Sequence, residues 1–281
     1  MGLSLGLLAA IGIAIFNGVA AILEKIGADR QKIATSSHPV LLWNLRNNAP
    51  YLFGIVLDLL AWFFTLIAVH KLPLFLVQPI IACSIIVTVM VENYLFKRKP
   101  TSKFLLSIGI ILAGLVMLAL ISTPEKSQAI STSLKWLISL SPLTLLVVGS
   151  IFSKNQKRYS TFILAAIGGL GFGGVSIAAR AEVLSQPYYH LLYNPLSWSI
   201  IGYGLAGILF FTIALQRATA SAVNAIMIVC ETLFPIITGL TFLGDHPRNN
   251  LWLLMGLGVI LTVWGTVLIA INYNKQLPQK E

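Results

Sequence analysis

Two carboxylates sit where carboxylates are costly. Asp58 interrupts the run Val56-Leu57-Asp58-Leu59-Leu60, and Glu231 interrupts Val229-Cys230-Glu231-Thr232-Leu233. An acid at the middle of an apolar helix costs about 3 kcal/mol or more in lipid. Such groups therefore face a bundle interior or a watered cavity, and they mark ion or solute paths. Three amides also lie within long apolar segments: Asn17, Gln78 and Asn224. Asn224 and Glu231 are seven residues apart, hence on one helix face. Pro235, four residues after Glu231, removes the N–H that the carbonyl of residue 231 would accept. Pro79 does the same to Phe75, beside Gln78. A carboxylate and a freed carbonyl within one turn are the oxygen donors a hard cation uses. Asp58 and Glu231 are thus candidate metal ligands. With Gln78, Asn224 and Asn17 they form a candidate ion or solute pathway, with Pro79 and Pro235 as its helix breaks. Each has a plainer reading: a protonated acid bonded inside the bundle, an amide joining helices, or a tolerated kink.

Other polar residues read more simply. Asn17 and Glu24 are also seven apart with Ala21 between, but Glu24 is near a helix end and precedes Lys25. An interfacial ion pair is expected there. Glu92 and Asn93 are close to Lys97 and read as a solvated helix end. His70, His190 and His246 fall in links. No histidine lies mid-span and the mid-span acids are isolated, which disfavours a lipid-modifying enzyme. The run Gly168–Gly174 does not match G-x-x-x-x-G-K-[ST], and no strand precedes it. Its Ala165, Gly169 and Gly173 instead give small-xxx-small spacing, which predicts close helix packing. The chain reads as no enzyme, with no cofactor.

The elements that must position these residues are membrane helices. Of 281 residues, 57% are hydrophobic and only 10% charged, against roughly 25% charged in a soluble domain. Mean hydropathy is +0.87. Too little polar side chain exists to cover a water-facing surface. Nine segments are long and apolar enough to span: 3–23, 51–69, 74–96, 104–122, 134–152, 161–180, 196–215, 220–243 and 251–271. The fifth is the weakest, because Ser139, Ser141 and Pro142 interrupt it. Residues 40–43 are too short to cross and read as an interfacial anchor. The expected fold is an all-α polytopic membrane bundle. The start of the chain lacks a basic n-region and an A-x-A site, so the first helix is expected to stay.

The net charge of +10 falls in the links, which makes it a topology signal and not a nucleic-acid footprint. With the N-terminus outside, only Lys71, Lys126, Lys135, Arg180 and Arg248 lie in outer links, against 14 of the 19 Lys and Arg inside. This predicts N-out, C-in. Cys83 and Cys230 lie in apolar runs and read as small buried side chains.

The chain also repeats itself weakly. Phe63-Phe64-Thr65 precedes Ala68, Lys71, Val77 and Gln78, while Phe210-Phe211-Thr212 precedes Ala214, Arg217, Val223 and Asn224. The span count gives the two copies opposite senses, an inverted repeat with halves 1–125 and 126–281. Secondary transporters often have this architecture, with the site at the repeat interface.

The stretch from Asp58 to Pro79, with Ala68, Pro73, Val77 and Gln78, resembles the drug/metabolite transporter superfamily and its NIPA-like magnesium transporter branch. The region from Ala214-Leu215-Gln216-Arg217 through Glu231, Pro235 and Leu243-Gly244-Asp245 resembles the closing repeat of EamA-type transporters. Gly18 to Gly27, with Glu24 and Lys25, is similar to the first NIPA-like helix. The resemblance implies a nine-span secondary transporter in the cell (plasma or inner) membrane. Its partners would be the lipid bilayer and a small solute or Mg²⁺, with no nucleic acid; a homodimer stays open. It leaves two solute classes, a divalent cation such as Mg²⁺ and a small organic metabolite or drug. A non-transporting membrane subunit is the remaining alternative.

Overall fold

In a computed structural model, the described residues are 2–30, 45–71, 83–97, 100–121, 131–181, 193–242 and 251–274. They form helices α1 (Gly2–Asp29), α2 (Ala49–Lys71), α3 (Ser84–Phe96), α4 (Ser102–Ile121), α5 (Thr132–Lys154), α6 (Arg158–Ala181), α7 (Pro195–Leu215), α8 (Ala220–Phe242) and α9 (Trp252–Asn274). No strand occurs among the described residues. Six of the helices are long and apolar enough to cross a membrane; α2, α3 and α4 contribute shorter apolar stretches. The protein is a polytopic helical membrane protein. The fifth segment, weakest in sequence, is a continuous helix through Pro142. Gln78, Pro79 and residues 40–43 lie outside the described residues.

Local chemistry sets several helix ends. Ser131 accepts from the Leu134 N–H at 3.3 Å to start α5. Asn194 accepts from the Leu196 N–H at 3.1 Å, and Pro195 takes the first helical position of α7. Lys97 ends α3 in the left-handed conformation, at φ 52°.

Lipid tails are as apolar as leucine, so burial alone cannot hold membrane helices together. Close packing through small residues does that work. Helix α1 packs on α2 and α3, while α6 packs on α7 and α8. A side chain on Gly27 would strike Tyr51 of α2, and one on Gly18 would strike Val87 and the Ser84 carbonyl of α3. In α6 the glycines split between two neighbours. Gly168, Gly171 and Gly174 meet Phe211, Gly207 and Tyr203 of α7, whereas Gly169 and Gly173 meet α8. The small-residue spacing read in α6 is a packing face, as expected. Helices α4 and α9 close on one another through Gly114, Gly258 and Gly265. The main core joins residues of α1, α3, α4, α6, α7 and α8, including Ile22, Ile85, Leu164, Phe210 and Val223. Helices α5 and α9 leave most of their apolar surface uncovered by the rest of the chain, as lipid-facing helices do.

One end of the bundle is tied by polar side chains that bond to backbone on other helices. Lys25 Nζ donates to the Leu215 carbonyl at 2.7 Å, and Gln216 Nε2 donates to the Ala28 carbonyl at 3.0 Å. Asn48 Nδ2 donates to the Gly27 carbonyl at 2.9 Å. Arg217 donates to the carbonyls of Ser153 and Asn155, at 2.6 and 3.0 Å. Half-burial of that guanidinium lowers its pKa from the ordinary value. These bonds satisfy the last carbonyls of α1, α5 and α7, which have no partner within their own helices.

Candidate functional site

The site starts from a glycine. Gly54, in α2, has α1 directly against it: a Cβ there would lie 2.5 Å from Glu24 Cγ and 3.1 Å from both the Ala20 carbonyl oxygen and the Glu24 nitrogen. Only the missing side chain lets the two backbones come this close. Asp58 follows Gly54 by one helical turn and so projects from the same face. The close approach brings the carboxyl groups of Glu24 and Asp58 within reach of each other. Two ionised carboxylates have no donor between them, so a hydrogen bond between these groups would need a shared proton. Glu24 is 2% exposed, whereas Asp58 keeps an open side.

This corrects the sequence expectation for Glu24. Lys25 does not pair with it. Lys25 bonds Asp29 at 2.7 Å, one turn on, as well as the Leu215 carbonyl. Adjacent helix residues point in different directions, so Lys25 turns to the tied end and Glu24 turns inward to α2.

Glu231 is the third carboxylate. It lies on α8 within electrostatic reach of Asp58, and its side chain is half-buried. Tyr51, one turn before Gly54, is within reach of both Glu24 and Asp58 and bonds Thr212 of α7 through its hydroxyl at 2.9 Å. The centre is therefore a Glu24–Asp58 pair on α1 and α2, with Glu231 of α8 within electrostatic reach of Asp58. Among the described residues no three His, Cys, Asp or Glu side chains come together as a metal-ligating cluster. The arrangement offers separated carboxyl oxygens rather than a closed cage.

Helix α8 stays continuous through Pro235. The carbonyl of Glu231, freed by that proline, lies against α6: a Cβ on Gly173 would be 2.9 Å from the Glu231 carbonyl oxygen and 3.1 Å from Pro235 Cδ. So the freed oxygen faces a glycine of the neighbouring helix.

The remaining candidates fall elsewhere. Asn224, 2% exposed, donates through Nδ2 to Thr88 Oγ1 of α3 at 3.0 Å. Thr88 in turn donates to carbonyls of Ser84 and of Gly18 on α1, at 2.9 and 3.2 Å. Asn224 thereby joins three helices. Asn17 is half-buried on α1. Gln78 and Pro79 are outside the described residues.

A second correction concerns Glu92, expected to be a solvated end. It is 5% exposed. Its carboxylate accepts from the backbone N–H groups of Ala220 and Ser221, both at 3.0 Å, and from the Ser221 hydroxyl. These are the first residues of α8, where free N–H groups and the helix dipole favour an anion.

No family model matches the chain, and no solved structure matches it. Over 277 residues the chain is 24% identical to an Arabidopsis thaliana protein named "Probable magnesium transporter NIPA9", with 88% of this chain and 80% of that protein covered.

Proposed function

We propose that the chain is a secondary transporter of the NIPA-like branch of the drug/metabolite transporter superfamily, carrying a divalent cation such as Mg²⁺ across the cell membrane. In this reading it has nine spans, runs N-out to C-in, and works by alternating access. The carrying observation is the set of three carboxyl groups from α1, α2 and α8, with Glu24 and Asp58 brought together by the close approach at Gly54 and Glu231 in electrostatic reach of Asp58. Mg²⁺ keeps several waters and is held by one or two carboxylates rather than an all-protein cage. Carboxyl groups from three helices suit an ion that keeps its water. The resemblance to an Arabidopsis thaliana protein named "Probable magnesium transporter NIPA9" points the same way. So does the repeated packing pattern, α1 on α2 and α3, then α6 on α7 and α8, which suits an inverted repeat.

One observation favours a second reading. Glu24 and Asp58 would repel if both were ionised this close together, and a proton shared between them would suit a proton-coupled carrier of a small organic solute.

The test is flux into liposomes loaded with a magnesium-sensitive dye, with Glu24→Gln, Asp58→Asn and Glu231→Gln alongside the parent protein. The proposal expects Mg²⁺ entry that falls at least about tenfold in each variant, a loss of at least ~1.4 kcal/mol in barrier terms. Folded parent protein that carries no Mg²⁺ refutes the cation and turns the search to proton-driven organic solutes.

A further inference from the structure

We propose that Glu92 and the first turn of α8 form a latch that closes the tied end of the bundle, and that its release opens the α3–α8 seam toward the carboxylates. Helix α3 meets α8 along a polar seam. At its outer end the Glu92 carboxylate takes the Ala220 and Ser221 N–H groups and the Ser221 hydroxyl. One turn inward, Thr88 takes the Asn224 amide. Two turns beyond Asn224, on the same α8 face, stands Glu231. The seam leads from the tied end to the site.

Three features make this junction a latch instead of ordinary packing. First, beside the Ser221 hydroxyl, Glu92 bonds N–H groups that α8 cannot satisfy itself, because those of a first turn have no intrahelical acceptor. Breaking the contact leaves α8 intact and costs α8 no internal bond. Second, the carboxylate is nearly fully buried, so water does not weaken the contact while it is closed. Third, the flanking ties are of the same kind: Lys25 to the Leu215 carbonyl and Gln216 to the Ala28 carbonyl join side chains to helix ends, across α1 and the α7–α8 link. All can exchange for water together without unwinding a helix. The consequence for transport rests on the carboxylate-site reading above; the latch itself is tested without any solute.

The experiment uses oriented proteoliposomes of a Cys83→Ala/Cys230→Ala protein carrying one reporter. The reporter is Asn224→Cys on the seam or, as control, Ser107→Cys in the buried α4 face. A membrane-impermeant maleimide is added on the side of the tied end, with and without Glu92→Gln. Bonds to a charged acceptor are strong enough that their loss should speed labelling of the Asn224→Cys reporter about tenfold, with Ser107→Cys unchanged. Unchanged labelling at the seam overturns the proposal. So does equal acceleration at both reporters, which would mean general loosening. Should Glu92→Gln not fold, Ser221→Ala removes the hydroxyl contact alone, and the same two outcomes, with a smaller expected rise, decide.

Discussion

Replacing Gly54 by alanine tests whether close approach of α1 and α2 builds the site. The new methyl would start 2.5 Å from Glu24 Cγ, against the roughly 3.5–4.0 Å of an ordinary carbon contact. At least about 1 Å of separation is required. Side-chain rotation cannot supply all of it, because the Ala20 carbonyl oxygen and the Glu24 nitrogen are backbone atoms at 3.1 Å. Helix α1 must therefore move off α2 at the turn that carries Glu24. Overpacking of this sort costs about 1–3 kcal/mol, partly offset by the ~1 kcal/mol that alanine gains over glycine in a helix. Net stability should thus fall by only about 0–2 kcal/mol. Flux should fall much further, by about a hundredfold, since a displacement of about 1 Å at a binding geometry has that effect. The comparison is Gly109→Ala in α4, where an added Cβ meets nothing within 4 Å. The two variants would be run in the same dye-loaded liposomes, with reversible unfolding in mixed micelles as the stability assay. Equal flux in Gly54→Ala and Gly109→Ala refutes the reasoning, because it would mean that the α1–α2 spacing does not govern the carboxyl pair.

Gly169→Ala should destabilise by about 1–3 kcal/mol, since its methyl would run into the Met227 carbonyl and Cys230 Cβ of α8; unfolding in mixed micelles measures it. Phe210→Ala should cost about 3–5 kcal/mol in the same assay, because the ring is fully buried and fills the space left by Gly149. Asn224→Ala should cost about 0.6–1.7 kcal/mol, and a double-mutant cycle with Thr88→Ala should show the two effects to be one interaction.

The helices were legible because length and apolarity mark an apolar helix, and the helix start at Thr132 and end at Lys154 fall within two residues of the expected 134–152. Asp58 and Glu231 stand out in the sequence because an acid in an apolar run is costly in lipid, and the structure puts Glu24 beside Asp58 and Glu231 within its electrostatic reach. Glu24 was misread through its neighbour. Lys25 at a helix end suggested an interface, yet the outcome was decided by Gly54, thirty residues on, which lets α2 reach the other side of α1. The seven-residue step from Asn17, and a glycine one turn before Asp58, were the available signals. Glu92 was misread for a related reason: its partners lie 128 and 129 residues away, beyond any local pattern. Pro235 shows the opposite limit. Chain chemistry says which carbonyl is freed, but only the glycine face of α6 says where that oxygen points.

The α4–α9 pairing constrains how the protein is made. Gly114 needs α9, since its empty side is filled by Thr262 and the Gly258 carbonyl. That partner is synthesised more than 130 residues later, a delay on the order of 10–30 s at ordinary ribosome speeds. Through that interval α4 sits in the bilayer with its glycine groove unfilled, dependent on lipid or on an insertion factor for cover. A chain truncated before Trp252 would leave the groove open permanently, and quality control in the membrane would meet it as an unfinished protein, even with Glu24, Asp58 and Glu231 all in place.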